Sequence, residues 1–581
     1  MLTARLENFF RTGGQLTTSP NTSETYSEVE LRPASEVMRL SRMGAYFPTR
    51  LSFSRTLIRF LAKQKAEINR PIWEIDKDGF GRAVYSLYLG GYSYSLVAFS
   101  TMLASEGRTD RVIAEAWDTS YVLYDGIPNK AELERLQINT PKQEAGRFMA
   151  SDLILSRANK SVRVFEHVVD NLSKGKQPDK DLISSVGYLM RTTAVYGNGK
   201  FGTADRQRIA ERPGFFCPFQ AEMLTVWLIR GFTHDLVEYI AKCRAPEKFI
   251  PLDRRLMRYF GIGNATGLGM APFLVNHPLL INNWMKARET ALARLRAIKF
   301  ADTKSVKSIR NLIIRARRHL DQWNVEDVRQ MSRIKILKLE LEEVEAWATL
   351  ECLEAPNPWD RLVRHSSRWS EECQELIVAL IMEPHGQIID DLSDDMSSNS
   401  VLFLEPSNTV GELSALILKN YQWALDVDFE HAEAQHYFWY VSEEKLEPRL
   451  GVRLEEPGAN LELPLDLARR VQAFVSDLEK IPCAQTIAEF LTRHPYHRYV
   501  ARRVQATRFH PYTEIRDNLI GADCMPIDML RCKLSFFGAT KFDPKSDRWT
   551  RIVLFQGAPL TSEILSTGAD DWWLSVMGND L

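Results

Sequence analysis

Long hydrophobic runs are missing from this 581-residue chain. No stretch approaches the roughly 20 apolar residues that a membrane-spanning helix needs. Paired cysteine spacing is missing too: the seven cysteines, at 217, 243, 352, 373, 483, 524 and 532, include no C-x-x-C. That removes the usual ligand pattern of a zinc ribbon and fits reduced thiols better than a disulfide framework. Neither sign of charge is in excess, since 74 basic and 75 acidic side chains leave a net charge of -1. A globally nucleic-acid-like surface is therefore disfavoured. The first ten residues carry Arg5 and Glu7 and lack an apolar h-region, so no secretory signal is expected and the chain reads as cytoplasmic. A G-x-S-x-G elbow, a Walker loop and an H-E-x-x-H helix are also lacking. Serine hydrolase, P-loop ATPase and zincin readings lose their usual support.

What is present is an ordinary globular composition, 45% hydrophobic and 26% charged, long enough for two to four domains. Residues 11–30 are polar and rich in Ser, Thr and Gly, which predicts a flexible, loosely docked arm over 1–34. Residues 35–285 read as a helical domain in which tyrosines between 85 and 124 line a core face. Residues 286–400 read as a long helical hairpin with further helices, Ile334, Leu337, Leu341 and Val344 forming its apolar stripe. Residues 401–581 gain strand-like runs at 401–404, 437–441, 534–537 and 552–556, interleaved with helices. The expected fold is mainly α with a C-terminal α+β domain.

Chemistry concentrates between Arg191 and Asn283. That stretch holds Tyr196-Gly197-Asn198-Gly199-Lys200 and Gly261-Ile262-Gly263-Asn264-Ala265-Thr266-Gly267-Leu268-Gly269, then Asn276-His277-Pro278. Glycines let backbone approach a ligand, while Asn, Thr, Lys and His supply donors for a small anion. A dinucleotide-binding turn is disfavoured because the residues before Gly261 are charged and helical in pattern, not a hydrophobic strand. A helix–loop–helix junction is the expectation. In this reading Lys200 and Arg191 supply positive charge, and Tyr196, Asn198, Asn264, Thr266 and Asn276 orient the substrate. Arg157 and Lys160 add potential from a neighbouring element, and His277 is the general base, its imidazole titrating near neutrality. Each has a bland alternative: an exposed loop lysine, a satisfied cap, a structural ion pair.

The run Asp390-Asp391-Leu392-Ser393-Asp394 resembles, over five residues, the D-D-x-x-D motif of class I isoprenoid synthases. The resemblance implies carboxylates of Asp390, Asp391 and Asp394 on a helix face holding magnesium and diphosphate. No second magnesium motif of that family follows, and an acidic surface turn is the simpler reading. Basic stretches at 286–338 and 494–541 raise an RNA-binding alternative, weakened by the lack of any RNA-binding signature. The expectation is a soluble enzyme performing acid/base chemistry (elimination, isomerisation or group transfer) on a small anionic metabolite, with no membrane partner and no assignable cofactor. A homodimer through 286–350, or a non-enzymatic interaction protein using that surface, is the main rival.

Overall fold

The computed structural model describes residues 30–103, 116–142, 147–193, 209, 212, 215, 217, 219–266, 277–323, 325–396, 402–431, 439–441, 448–450, 463–464, 467–516, 526–546, 549–565 and 572–577. About half of the chain is helical, yet the region expected to be a helical domain is built on a sheet. Among the described residues, seven strands precede residue 267: β1 (Glu67–Ile75), β2 (Gly81–Leu89), β3 (Tyr92–Ser100), β4 (Thr119–Asp125), β5 (Asp152–Lys160), β6 (Tyr188–Thr192) and β7 (Gly261–Thr266). Strands β8 (Trp439–Val441), β9 (Pro448–Leu450) and β10 (Leu463–Pro464) form a small sheet of their own. Strands β11 (Lys541–Ser546) and β12 (Trp549–Leu554) return to the large one, whose order is β1-β2-β3-β4-β5-β6-β7-β12-β11. All neighbours are antiparallel except β6 and β7, which run parallel. The mainly α expectation is thus corrected: the N-terminal region is α/β, organised by a nine-stranded mixed sheet.

The local chemistry of the strands is clear once both faces are seen. Asp76 accepts from the amides of Asp78 and Phe80, and Gly79 at φ +88° completes the β1–β2 turn. Gly90 and Gly91, both at positive φ, make the two-residue β2–β3 hairpin loop, the conformation such turns demand. One sheet face packs Val84, Val97, Phe99, Val122 and Leu155 against Leu133 and Leu136 of the Lys130–Asn139 helix. The other face sends Tyr85, Leu96, Ala98, Tyr121 and Leu123 into the main core. There the Gln220–Arg244 helix crosses the sheet, its Phe232 ring meeting Trp73, Tyr85 and Tyr121. Such fully buried apolar side chains contribute about 1.5–3 kcal/mol each. Arg230 of that helix is buried and forms no ion pair among the described residues. It donates instead to the carbonyls of Phe260, Arg258, Ala558 and Pro559 at 2.7–2.9 Å, fastening the C-terminal segment to the sheet.

A helical layer follows, comprising Pro278–Arg296, Thr303–Asp321, Val328–Trp347 and Glu371–Met382. The stripe of Ile334, Leu337, Leu341 and Val344 is buried within the chain itself, so these side chains are not available as a dimer seam. Beneath the layer lies a buried ionic cluster. Arg32 and Arg42 donate to Glu375 at 2.8 and 2.7 Å, Arg288 also pairs with Glu375, and Arg32 and Arg288 share Glu289. Burial alone would raise the Glu375 carboxyl, but Arg32, Arg288 and Arg42 together hold it well below its ordinary value. Arg288 also stacks 4.0 Å from the Tyr46 ring centroid.

Between Met396 and Tyr512 the chain leaves this core and builds a second one from the helices Val410–Asn420, Leu467–Leu478, Ile487–Arg493 and Arg498–Ala506. Two of these helices start side by side. Thr409 and Thr486 are each the N-cap of a capping box, with Glu412 and Glu489 as reciprocal partners. The helix beginnings also exchange backbone bonds, Val410 and Gly411 donating to Gln485 and Cys483, Ile487 and Ala488 to Asn408 and Pro406. Each start thereby satisfies amides that a helix leaves unpaired. The expected strand at 401–404 is irregular where described, and that at 534–537 is the end of the Pro526–Phe537 helix.

Candidate functional site

The sequence-predicted residues divide between the sheet and segments outside the described residues. Tyr196, Asn198, Lys200 and Asn276 lie outside them. Arg157 and Lys160 fall on β5, Arg191 on β6, and Asn264 and Thr266 on β7, three adjacent strands. Register shows how they point. Asn159 pairs with Arg191, and Arg191 with Gly263, so side-chain alternation sends Arg157 and Arg191 to one face and Lys160 and Asn264 to the other. The sheet separates the two pairs. Asn264 donates to the Thr192 carbonyl at 3.0 Å. The Lys160 ammonium sits over the Phe165 and Phe80 rings at 4.9 and 5.7 Å. Arg157 lies against Trp117 and donates to the Lys142 carbonyl. His277 precedes Pro278, its carbonyl accepting from Leu280 and Ile281. The β7 glycines serve close packing: a Cβ on Gly261 would lie 2.4 Å from the Leu554 oxygen, and one on Gly263 2.8 Å from the Tyr188 ring. The expected helix–loop–helix junction is a strand there.

A different place gathers polar groups around open volume. A cavity of about 830 Å³ opens between the Phe53–Lys63 helix, the Thr303–Asp321 helix and the 3-10 turn Asp390–Met396. Its ionisable walls are Arg50, Arg59, Lys63, Glu383, Asp390, Asp391 and Asp394. Thr56, Ser308 and Ser393 add hydroxyls, and Ile58, Phe60, Ala62 and Leu312 an apolar side. The first helix forms because Leu57, Ile58 and Leu61 bury one stripe, while Arg55, Arg59 and Lys63 recur every four residues and share a face.

Most of these charges hold one another. Arg50 grips Asp390 with two bonds, Nε to Oδ1 at 2.9 Å and Nη2 to Oδ2 at 2.6 Å. Arg59 approaches the same carboxylate at 3.5 Å. Arg55 pairs with Glu383, and Arg294 holds both oxygens of Asp391 at 2.8 and 2.9 Å. The D-D-x-x-D carboxylates thus sit on a 3-10 turn, two of the three committed to arginines. Among the described residues, no group of three His, Cys, Asp or Glu side chains is placed to hold a metal ion. Lys63 and Asp394 are the cavity's exposed ionisable groups without an ion pair among the described residues. Arg50, Arg59, Lys63 and Ser308 were not singled out from sequence; the signal available was the four-residue recurrence of basic side chains in an apolar helix.

Two buried histidines lie elsewhere in the helical layer. Burial pushes His319 down to about 4, its Nδ1 lying 2.8 Å from the Ser575 carbonyl oxygen. Burial likewise pushes His385 to about 4, its ring edge-on to Trp359. Both are neutral near pH 7.

Compared with known proteins, the chain matches no family model, no curated relative and no solved structure. No described helix is long and apolar enough to cross a membrane. The site is therefore read from its own geometry.

Proposed function

We propose that the protein is an enzyme that takes a small charged metabolite into the cavity beside the Phe53–Lys63 helix and performs acid/base chemistry on it. The observation that carries this reading is the cavity's division of labour. Arg50 and Arg59 are fixed by Asp390, so their guanidinium N–H groups are prearranged, which costs little reorganisation when an anion arrives. Lys63 and Asp394, both exposed and without an ion pair among the described residues, are left to bind the ligand and to move a proton. The apolar side formed by Phe60 and Leu312 would hold the ligand's carbon skeleton, the usual composition of a small-molecule site. Elimination, isomerisation and group transfer all fit this set. A cytoplasmic setting accords with six free cysteines among the described residues.

The test is a thermal-shift screen of anionic metabolites on the wild-type chain, followed by Lys63→Ala and Asp394→Asn. A pocket ligand present at 100 times its Kd stabilises by about 2.7 kcal/mol. The expected result is a ligand whose stabilisation drops in Lys63→Ala and whose turnover is lost in Asp394→Asn, with the unliganded melting temperature unchanged in both. A panel that produces no shift, or a shift indifferent to both substitutions, refutes the reading.

A further inference from the structure

A second opening adjoins the cavity at Ser308 and Leu312. This opening, of about 670 Å³, runs along the Thr303–Asp321 helix and is lined by Thr303, Lys304, Lys307, Ser308, Asn311, Leu312 and Arg315. The two differ in electrostatics: the first mixes arginines with four carboxylates, whereas no carboxylate lines the second among the described residues.

Much of the lysine and arginine charge along this helix forms no ion pair among the described residues. Arg317 pairs with Glu342 and Glu345, Lys338 with Asp321, Arg294 with Asp391 and Arg296 with Asp360. Lys304, Lys307, Arg310 and Arg318, all exposed, have no ion pair among the described residues. Lys304, Lys307, Asn311 and Arg318 follow spacings of three, four and seven, which makes one stripe. Arg315 is anchored through its Nε to the Leu574 carbonyl at 2.8 Å, so its guanidinium is held in place at the lip. A cleft of one sign concentrates its field on an incoming anion. Several cations beside the hydroxyls of Thr303 and Ser308 and the amide of Asn311 suit a multiply charged group with many acceptor oxygens. A single carboxylate would leave most of them unused.

We infer that the ligand is a phosphorylated small molecule, its polar body in the first cavity and a diphosphate or longer phosphate chain along Lys304, Lys307 and Arg315. This rests on the cavity reading for the body of the ligand, but the phosphate arm stands on its own observation. No metal is required, because the cations are protein side chains.

The experiment uses the full chain and inorganic tripolyphosphate as probe, titrated by calorimetry at about 0.05 and 0.15 M salt. Variants are the double reversal Lys304→Glu/Lys307→Glu, at exposed positions, and Lys63→Ala/Asp394→Asn in the first cavity. Circular dichroism melting checks that each is folded. The expected result is binding that weakens by about tenfold or more in the reversal variant and by about threefold or less in the cavity variant. Absence of tripolyphosphate binding at the lower salt, or equal binding by wild type and the reversal variant, overturns the inference. So does a single-stranded RNA that displaces the probe with affinity rising with its length, since the face would then track a polymer. A metabolite that depends on Lys63 and Asp394 but ignores the reversal would sink the phosphate arm and leave the cavity reading standing. Probe binding without any ligand for the first cavity would do the reverse.

Discussion

Substituting Glu375 by Gln tests whether the buried ionic cluster organises the helical layer. Glu375 is fully buried and accepts from Arg32, Arg42 and Arg288. Glutamine keeps the volume and one carbonyl oxygen but removes the charge. A hydrogen bond to a charged group contributes about 1.5–3 kcal/mol, yet three sharing two oxygens do not add fully. Breaking a buried ion pair costs about 3–5 kcal/mol because the stranded partner remains desolvated, and that is the loss expected here. The matched control is Glu371→Gln. Its carboxylate pairs with Arg39 and Arg42 but is about a third exposed, so a loss below about 1 kcal/mol is expected. Urea unfolding at pH 7, followed by tryptophan fluorescence and far-ultraviolet circular dichroism together, reads both. The pH dependence has a definite sign. The folded Glu375 carboxyl lies below its ordinary value of 4.5, so its contribution is complete above that value and is lost as pH falls through the lower, folded one. The gap between wild type and Glu375→Gln should hold steady from pH 7 to about 5 and close only in stronger acid. A loss under about 1 kcal/mol, or one matched by Glu371→Gln, refutes the reasoning.

Three further outcomes are expected. Gly263→Ala drives a methyl into the Tyr188 ring and should cost about 1–3 kcal/mol in thermal melts, a cost that added Tyr188→Ala partly relieves. Thr409→Ala and Thr486→Ala each remove an N-cap and should each cost about 1 kcal/mol. Because the two helix starts bond to each other, hydrogen exchange should show the protection of both helices falling in either variant. His319 is held at about 4 against an ordinary value of 6.5, so the unfolded chain binds the extra proton between those values. The stability due to its neutral form is complete above 6.5, falls as pH drops toward 4, and amounts to about 3 kcal/mol. His319→Gln should flatten that part of the stability profile, and an unchanged slope would show that other groups set it.

Much of the helical half was legible. The apolar spacing at 219–241 marks the Gln220–Arg244 helix, and Pro278 opens the helix expected after it. The sheet was not, for a physical reason. In β2 and β3, Tyr85 and Leu96 face the main core while Val84 and Val97 face the Lys130–Asn139 helix. With both faces covered, the period-two alternation that betrays a strand disappears, and the tyrosines read equally well as a helix face. The two-glycine hairpin loop at Gly90 and Gly91 was the usable signal. The glycines of β7 misled in the opposite direction, because close packing against a ring and close approach to a ligand demand the same residue. As for the cavity, the acidic string was visible from its sequence, but its partners Arg50, Arg59 and Arg294 are brought to it only by tertiary structure.

The placement of β12 beside β7 has a consequence for biosynthesis. Gly263 and Val553 are register partners, so the long stretch between β7 and β12 must leave the ribosome before β7 gains its second neighbour. Until then β7 is the bare outer edge of the seven strands already made, an invitation to pair with the wrong molecule. Fragments that stop short of β12 are expected to be less soluble than the full chain, because the order of the strands leaves that edge uncovered.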